Sequence, residues 1–154
     1  MLILYENLKI RNARREDMFQ VMALIKELAE FEKAPLEVIN TEEQLMKDGF
    51  GKNPLFHCIV SEFETKILGF ALYYYRYSTW KGKCLYLEDF YVTEVHRNFG
   101  IGKKLFEEII KIAKHDKCKR INWQVLDWNE RAIKFYEKYD ARFDKEWWNG
   151  YISM

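Results

Sequence analysis

The feature that most constrains the fold of this sequence is a long central run of strand-forming residues. Residues 56–62, 66–77 and 85–93 are rich in Phe, Tyr, Ile, Val and Leu, which favour pleated strands. Only two short polar turns separate the three segments, at Glu64-Thr65 and at Lys81-Gly82-Lys83. Because turns this short join antiparallel neighbours, the pattern predicts a three-stranded meander in the middle of the chain.

Segments with the periodicity of amphipathic helices lie on both sides of this meander. Apolar residues at helical spacing predict a first helix that ends before Pro35: Met18, Val21, Met22, Ile25, Leu28 and Ala29. The sequence Thr41-Glu-Glu-Gln44 has the form of a capping box and predicts a short second helix that reaches Gly49. After the meander, a third helix is predicted by one apolar face, which carries Leu105, Phe106, Ile109, Ile112 and Ala113.

The remaining segments predict how the chain begins and ends. Residues 7–13 and 120–126 are expected to form further strands, and Asn129 is expected to cap a last helix. Residues 142–154 are expected to add one or two short strands. The 154 residues contain no linker or repeat. We therefore predict one α/β (α+β) domain over residues 1–154, with a mixed, mostly antiparallel sheet flanked by helices.

Composition argues against several classes of function. The 25 basic and 24 acidic residues leave a net charge of +1, so we expect neither nucleic acid nor a membrane as a partner. No apolar run approaches the ~20 residues of a membrane span, and no signal peptide is recognisable. Three dispersed cysteines without a CxxC pair favour a reduced, cytoplasmic protein: Cys58, Cys84 and Cys118. Three dispersed histidines give no metal-ligand spacing, so no metal is expected: His57, His96 and His115.

Charge is nevertheless uneven along the chain. Residues 27–48 contain seven acids and two bases, whereas residues 97–120 contain eight bases and three acids. Two solvated helix faces would explain this asymmetry. A cationic substrate near the first segment and an anionic ligand near the second would explain it equally well.

Residues 96–105, HRNFGIGKKL, place Gly100 and Gly102 between a predicted strand and a predicted helix. Such a loop presents backbone N–H groups to an anion, although an ordinary tight turn would look similar. A Walker loop would need glycine at Arg97 and a hydroxyl at Lys104, and a dinucleotide loop would need glycine at Leu105. Neither of these two nucleotide-binding motifs is therefore present.

The pattern Arg97-x-x-Gly100-x-Gly102 resembles the pyrophosphate loop of the GNAT family of N-acetyltransferases. Four longer segments resemble its spermidine/spermine (diamine) acetyltransferase-like branch: LIKELAEFEKA at 24–34, DGFGKNPLFHCIV at 48–60, LYLEDFYVTEVHRNFGIG at 85–102 and DWNERAIKFYEK at 127–138. The FEK at 31–33 is most similar to thialysine-type members. The resemblance extends from about residue 8 to residue 148.

This resemblance implies the GNAT acyl-CoA N-acyltransferase fold, with acetyl-CoA as co-substrate. It implies a homodimer with the amine pocket near the subunit interface. The pantetheine arm is expected along the backbone of Phe90, Tyr91 and Val92. The pyrophosphate is expected at Arg97, Asn98, Phe99, Gly100, Ile101, Gly102 and Lys103, where Arg97 and Lys103 supply positive charge. Asn129 is expected both to cap its helix and to contact CoA.

The resemblance also assigns the proton transfers. Tyr136, seven residues after Asn129, matches the family's general acid, although its position alone also suits a core tyrosine. Glu88 matches the general base, with the adjacent Asp89 as an alternative. Strand alternation is expected to place Glu88 on one face with Tyr86, Phe90 and Val92, and Asp89 on the other.

Three residues match substrate-binding positions of the branch: Glu32, Trp80 and Asp89. Carboxylates beside an aromatic face suit an ammonium group, although Glu32 is also explained as one more solvated acid. We expect acetyl transfer to a primary amine of a small cationic acceptor, either a polyamine, a diamine or a thialysine-like amine. The alternatives are a non-catalytic acyl-CoA-binding regulatory module and a protein lysine or N-terminal acetyltransferase.

Overall fold

The predicted meander forms the middle of a five-stranded sheet in a computed structural model, which describes residues 5–154. The strands are β1 (Lys9–Asn12), β2 (His57–Phe63), β3 (Lys66–Ser78), β4 (Gly82–Val92) and β5 (Arg120–Asn122), and they lie in that order across the sheet. Strands β1 to β4 pair with one another in antiparallel order, whereas β5 pairs in parallel with β4. The predicted mixed, mostly antiparallel sheet is confirmed.

The helices are α1 (Met18–Phe31), α2 (Glu42–Phe50), α3 (Ile101–His115) and α4 (Glu130–Glu137). The predicted cap of α2 is half correct. Thr41 Oγ1 accepts the N–H of Gln44 at 3.2 Å, but the Gln44 side chain donates to Asp48 at 2.8 Å rather than returning to Thr41. Among the described residues, no helix has the length and apolar character needed to cross a bilayer.

The sheet has a helix layer on each face. A first core joins α1 and α2 to β2, β3 and β4, and its members include Met18, Val21, Met22, Leu45, Val60, Phe70, Leu72 and Tyr91. On the other face, the α3 side chain of Phe106 packs with its ring 5.8 Å from that of Phe90. Because the adjacent residues Phe90 and Tyr91 point to opposite faces, α1 and α3 flank the sheet.

A bulge interrupts β4 and changes the expected alternation. Leu72 pairs with Asp89 but Tyr73 pairs with Leu87, so Glu88 is an extra residue without an opposite partner. Asp89 shares the α1 face with Leu72. Glu88 lies on that same side, because it accepts a hydrogen bond from Tyr74, two residues beyond Leu72.

The predicted arrangement of this strand is therefore wrong. The predicted face contained Tyr86, Glu88, Phe90 and Val92, with Asp89 opposite. The extra residue instead puts Glu88 and Asp89 on one side of the sheet, together with Tyr86, which pairs with Tyr74. Phe90 points to the other side, against α3.

The chain divides into two compact units, Met1–Trp123 and Gln124–Met154. The first contains the sheet and α1 to α3, and the second contains α4 and the C-terminal residues. The prediction of one domain over residues 1–154 stays a prediction. Two strand predictions are wrong: β5 ends at Asn122 rather than at 126, and residues 142–154 form no strand in the described chain.

Candidate active site

Two further carboxylates lie within electrostatic reach of Asp89, where the end of α1 approaches the bulge of β4. Glu32 is the C-cap of α1, and Glu88 and Asp89 occupy the bulge. Glu88 and Glu32 both act electrostatically on Asp89, which shows that the three groups share one local environment. This acidic cluster, Glu32, Glu88 and Asp89, has the charge needed to attract an ammonium ion.

Asp89 is the cluster member whose protonation is tuned to neutral pH. Burial opposes its ionisation, and the negative charges of Glu88 and Glu32 add to this effect, so its pKa is raised to about 7. Glu88, by contrast, is exposed and accepts a hydrogen bond from the Tyr74 hydroxyl at 3.3 Å. A carboxyl group that titrates near neutral pH suits a general base, so the bulge favours Asp89 over Glu88 for that role.

Glu32 stands at the exposed end of α1, where the helix stops. Lys33 adopts a left-handed conformation with φ of 62°, and Ala34 N–H closes the turn onto the carbonyl of Ala29 at 2.9 Å. Partial burial raises the pKa of the Glu32 carboxyl. The helix end thus brings this acid within electrostatic reach of Asp89.

The C-terminal half of β4 has one edge that β5 does not cover. β5 pairs with β4 only over Cys84–Tyr86, although β4 continues to Val92. The N–H of Thr93 bonds to Leu68 of β3 at 2.9 Å, so the backbone of Val92 faces away from β3, and by alternation so does that of Phe90. Arg97 already donates to the Val92 carbonyl on this edge, so the N–H of Val92 and the backbone of Phe90 are the groups placed to meet an extended ligand such as a pantetheine arm.

The glycine loop leads from this edge into α3. Asn98 and Gly100 both have positive φ, 70° and 81°, and Gly100 is the N-cap of the helix. The first intrahelical bond runs from the N–H of Lys104 to the carbonyl of Gly100 at 3.1 Å. The preceding N–H groups of α3 therefore point out of the helix end, an arrangement that binds phosphate oxygens.

Gly102 has space around it in the protein itself. A Cβ built there would lie 3.7 Å from Phe90 and 3.9 Å from Val92, which are ordinary van der Waals contacts. The packing of the chain does not demand glycine at this position. A ligand that approached this backbone closely would favour glycine here.

Arg97, expected at the pyrophosphate, already makes contacts within the protein. Its Nε donates to the carbonyl of Val92 at 2.8 Å, and its guanidinium lies over the rings of Tyr91 and Phe31, at 5.0 and 5.3 Å. The charge is thus held between the end of β4 and the end of α1. Arg97 thus joins the loop to the helix that ends at Glu32, and exposed Lys103 forms an ion pair with Glu107 at 3.9 Å.

Trp80 lies apart from the acidic cluster within one chain. It occupies the turn between β3 and β4 and is 84% exposed. Asp89 lies seven residues beyond Gly82 along β4, which corresponds to about 20 Å. The structure therefore does not bring Trp80 together with Glu32 and Asp89 in a single subunit.

The second unit carries the remaining two predicted site residues. Asn129 Oδ1 accepts the N–H of Ala132 at 3.2 Å, so Asn129 is the cap of α4, as expected from the sequence. Tyr136 lies two turns further along α4 and is 6% exposed. Its ring contacts that of Phe135, with centroids 5.4 Å apart.

Sequence reasoning missed one residue beside the acidic cluster. Tyr74 bonds to Glu88 and packs its ring 5.2 Å from that of Tyr86. Tyr74 belongs to a run of tyrosines at residues 73–77 that is plain in the sequence. Only the pairing register between β3 and the bulged β4 shows that Tyr74 is the one on the side of the carboxylates. Among the described residues, no group of three or more His, Cys, Asp or Glu side chains is arranged to hold a metal ion.

Comparison with known proteins identifies the family of this chain. The Acetyltransferase (GNAT) family pattern matches residues 16–140. Thialysine N-epsilon-acetyltransferase of Mus musculus is 42% identical over 137 residues, covering 84% of this chain and 81% of the relative. The Sus scrofa protein of the same name is 39% identical over 152 residues, covering 92% and 89%.

Solved structures share the fold. An aminoglycoside acetyltransferase from an uncultured soil metagenomic sample superposes with a TM-score of 0.78, covering 97% of each chain at 21% identity. An identity this low supports the arrangement of strands and helices alone.

Proposed function

Because this chain belongs to the acetyltransferase (GNAT) family and is an acetyl-CoA-dependent N-acetyltransferase, we propose that its acceptor is a primary amine of a small cationic molecule. The acidic cluster is the observation that carries this proposal. A polyamine, a diamine or a thialysine-like amine has the matching charge. Relatives named for thialysine and for spermidine/spermine support this class.

The reaction needs a base because the acceptor is protonated in water. An alkyl ammonium has a pKa of about 10.4, so only ~0.1% is nucleophilic near pH 7.4. Asp89, with a pKa of about 7, is largely ionised at that pH and is our proposed base, with Glu88 beside it. Glu88, Glu32 and Asp89 together hold the ammonium group before its proton is removed.

Acetyl-CoA supplies an activated thioester carbon. The new N–C bond forms as the C–S bond breaks, the amine loses one proton, and the thiolate gains one. We propose Tyr136 as the donor of that proton, since a phenol with a reference pKa of about 10 can protonate a thiolate. The open edge of β4 and the N-terminus of α3 would hold the pantetheine and pyrophosphate, and Asn129 would add a contact.

A homodimer is a further part of the proposal. The tip of the β3–β4 hairpin exposes Tyr77 and Trp80, at 77% and 84%, about 20 Å from the acidic cluster of the same chain. In a symmetric dimer, Trp80 of a second copy would provide the aromatic wall of the amine pocket. We place the enzyme in the cytoplasm, in keeping with its three free thiols.

A protein lysine or N-terminal acetyltransferase is the second candidate. An assay of CoA release tests the two acceptor classes against spermidine, short diamines, thialysine, lysine and a histone-like peptide. We expect release with the small amines and little with the peptide. Release with the peptide alone would favour the second candidate, and no release with any amine by folded protein would contradict the proposal.

A matched variant for this assay is Tyr136→Phe, which removes one hydroxyl and keeps the ring. It should bind acetyl-CoA as the wild type does while kcat falls about 100-fold or more, the range for loss of a general acid. Unchanged kcat would exclude Tyr136 from proton transfer.

A further inference from the structure

One basic residue follows the acidic cluster on the same face of the β3–β4 hairpin. Tyr74 pairs with Tyr86, and Arg76, two residues further along β3, shares their side of the sheet. The guanidinium of Arg76 lies over the Tyr86 ring, 5.4 Å from its centroid. The face thus runs from carboxylates through an aromatic pair to a cation.

The contacts along this face are continuous. Glu88 accepts a hydrogen bond from the Tyr74 hydroxyl at 3.3 Å, the Tyr74 and Tyr86 ring centroids are 5.2 Å apart, and the Arg76 guanidinium lies over the Tyr86 ring. Glu88 and Arg76 exert opposite electrostatic effects on both tyrosines, which shows that their charges lie near the same rings. One pair of aromatic rings separates the negative end from the positive end.

Arg76 is available to an external anion. It is exposed, and within residues 5–154 it has no carboxylate partner. The paired N–H groups of its guanidinium match the two oxygens of a carboxylate. A polyamine would instead bring a second positive charge towards Arg76 and be repelled.

We propose that Arg76 binds the carboxylate of the acceptor, so that the enzyme prefers an amino acid with a side-chain amine over the corresponding diamine. This inference rests on the proposed amine acceptor and makes it more specific. The reacting amine lies at the acidic cluster, the aliphatic chain crosses the Tyr74–Tyr86 pair, and the carboxylate pairs with Arg76. Arg76 is then a specificity-determining residue that takes no part in proton transfer.

The test compares substrates that differ only by a carboxylate. L-lysine is paired with cadaverine, and L-ornithine with putrescine, and the ratio of kcat/KM within each pair is measured. We expect wild-type protein to favour the amino acid. Arg76→Gln should lower the ratio at least about tenfold, through KM for the amino acid rather than through kcat, since the contact is made equally in ground and transition states.

A matched control lies on the opposite face of the same hairpin. Lys83 pairs with Tyr77, and its ammonium lies 4.1 Å from the Tyr75 ring centroid. Lys83→Gln therefore removes one positive charge from the face of the sheet opposite to Arg76. This variant should keep the wild-type ratio. Arg76→Lys keeps the charge without the planar fork and should lie between wild type and Arg76→Gln.

The outcomes separate this inference from the proposed function. A ratio unchanged in Arg76→Gln, or a wild-type preference for the diamines, overturns the role of Arg76 and leaves the amine acetyltransferase intact. Activity on spermidine or thialysine but on none of the four paired amines overturns the role of Arg76 alone, and no activity of folded wild type on any of these six amines overturns both. Because each ratio is taken within one protein preparation, a general loss of stability in a variant cancels.

Discussion

Asp89 combines three influences that oppose the loss of its proton: burial, the charge of Glu88 and the charge of Glu32. Its pKa of about 7 means that the carboxylate is present above neutral pH and is protonated below it. If Asp89 is the general base, the rate of the reaction should follow the ionisation of its carboxyl group.

We therefore predict that wild-type kcat/KM falls as the pH drops through about 7, because Asp89 gains a proton and can no longer accept one. Asp89→Asn should lower kcat/KM about 100-fold or more and abolish this acidic limb. Glu88→Gln removes a neighbouring negative charge, so it should move the limb to lower pH. A pH–rate profile measures both, and an unaltered limb in Asp89→Asn would assign the base elsewhere.

At the scale of elements, the two glycines before α3 answer different needs: Gly100 suits the conformation of the backbone, and Gly102 suits the approach of a ligand. Gly100 has a positive φ, whereas Gly102 does not and has room for a methyl group. A side chain at position 100 costs roughly 1 kcal/mol in conformational strain, and one at position 102 should cost the free protein little.

We predict that Gly102→Ala weakens acetyl-CoA binding about tenfold or more while Tm stays at the wild-type value, because the added methyl group would stand between the backbone and the pyrophosphate. Titration calorimetry and thermal unfolding measure the two quantities. Gly100→Ala is the companion variant and should lower Tm. Wild-type affinity in Gly102→Ala would show that the ligand does not approach this backbone.

The elements were predictable where the signal is local. The apolar spacing of Met18 to Ala29 and the cap at Asn129 depend on neighbours in sequence, and both helices form where expected. The bulge at Glu88 was not predictable, because it exists only in the register between Leu72 and Asp89 on two different strands. Residues 142–154 include aromatic side chains that favour strands, which is why strands were expected there. A strand also needs a neighbouring strand to pair with, and the amino-acid preferences of a segment do not show whether one is present.

The same distinction applies to the site. The glycine loop was identified from its own residues, and the sequence resemblance identified both Glu88 and Asp89. The choice between these acids depends on burial and on Glu32, which lies more than fifty residues earlier in the chain. The sequence likewise showed that Arg97 carries charge but could not show that Val92, Tyr91 and Phe31 already engage it.

At the scale of the whole molecule, the exposed hairpin tip makes the proposed dimer testable by complementation. If each pocket combines Asp89 of one copy with Trp80 of the other, Trp80→Ala and Asp89→Asn damage different halves of the same site. We predict that each variant alone is weakly active, whereas their co-assembled mixture regains about a quarter of wild-type activity, because half of the dimers then contain one intact pocket.

Sedimentation of the wild type provides the control, since the complementation requires a dimer at assay concentration. A monomeric wild type, or a mixture no more active than its components, would show that Trp80 and Asp89 do not act across an interface. Tyr77→Ser changes another exposed residue near the same tip and tests whether any loss reflects assembly rather than the pocket.

The bulge at Glu88 also has a consequence for how this protein tolerates change over evolutionary time. A substitution at Glu88 alters one side chain, but deletion of that single residue would let β4 regain a regular ladder while the strand lost its bend. Such a deletion could leave the fold intact and still disperse the acidic cluster. Natural variation here should therefore accept exchanges between amino acids more readily than changes in chain length.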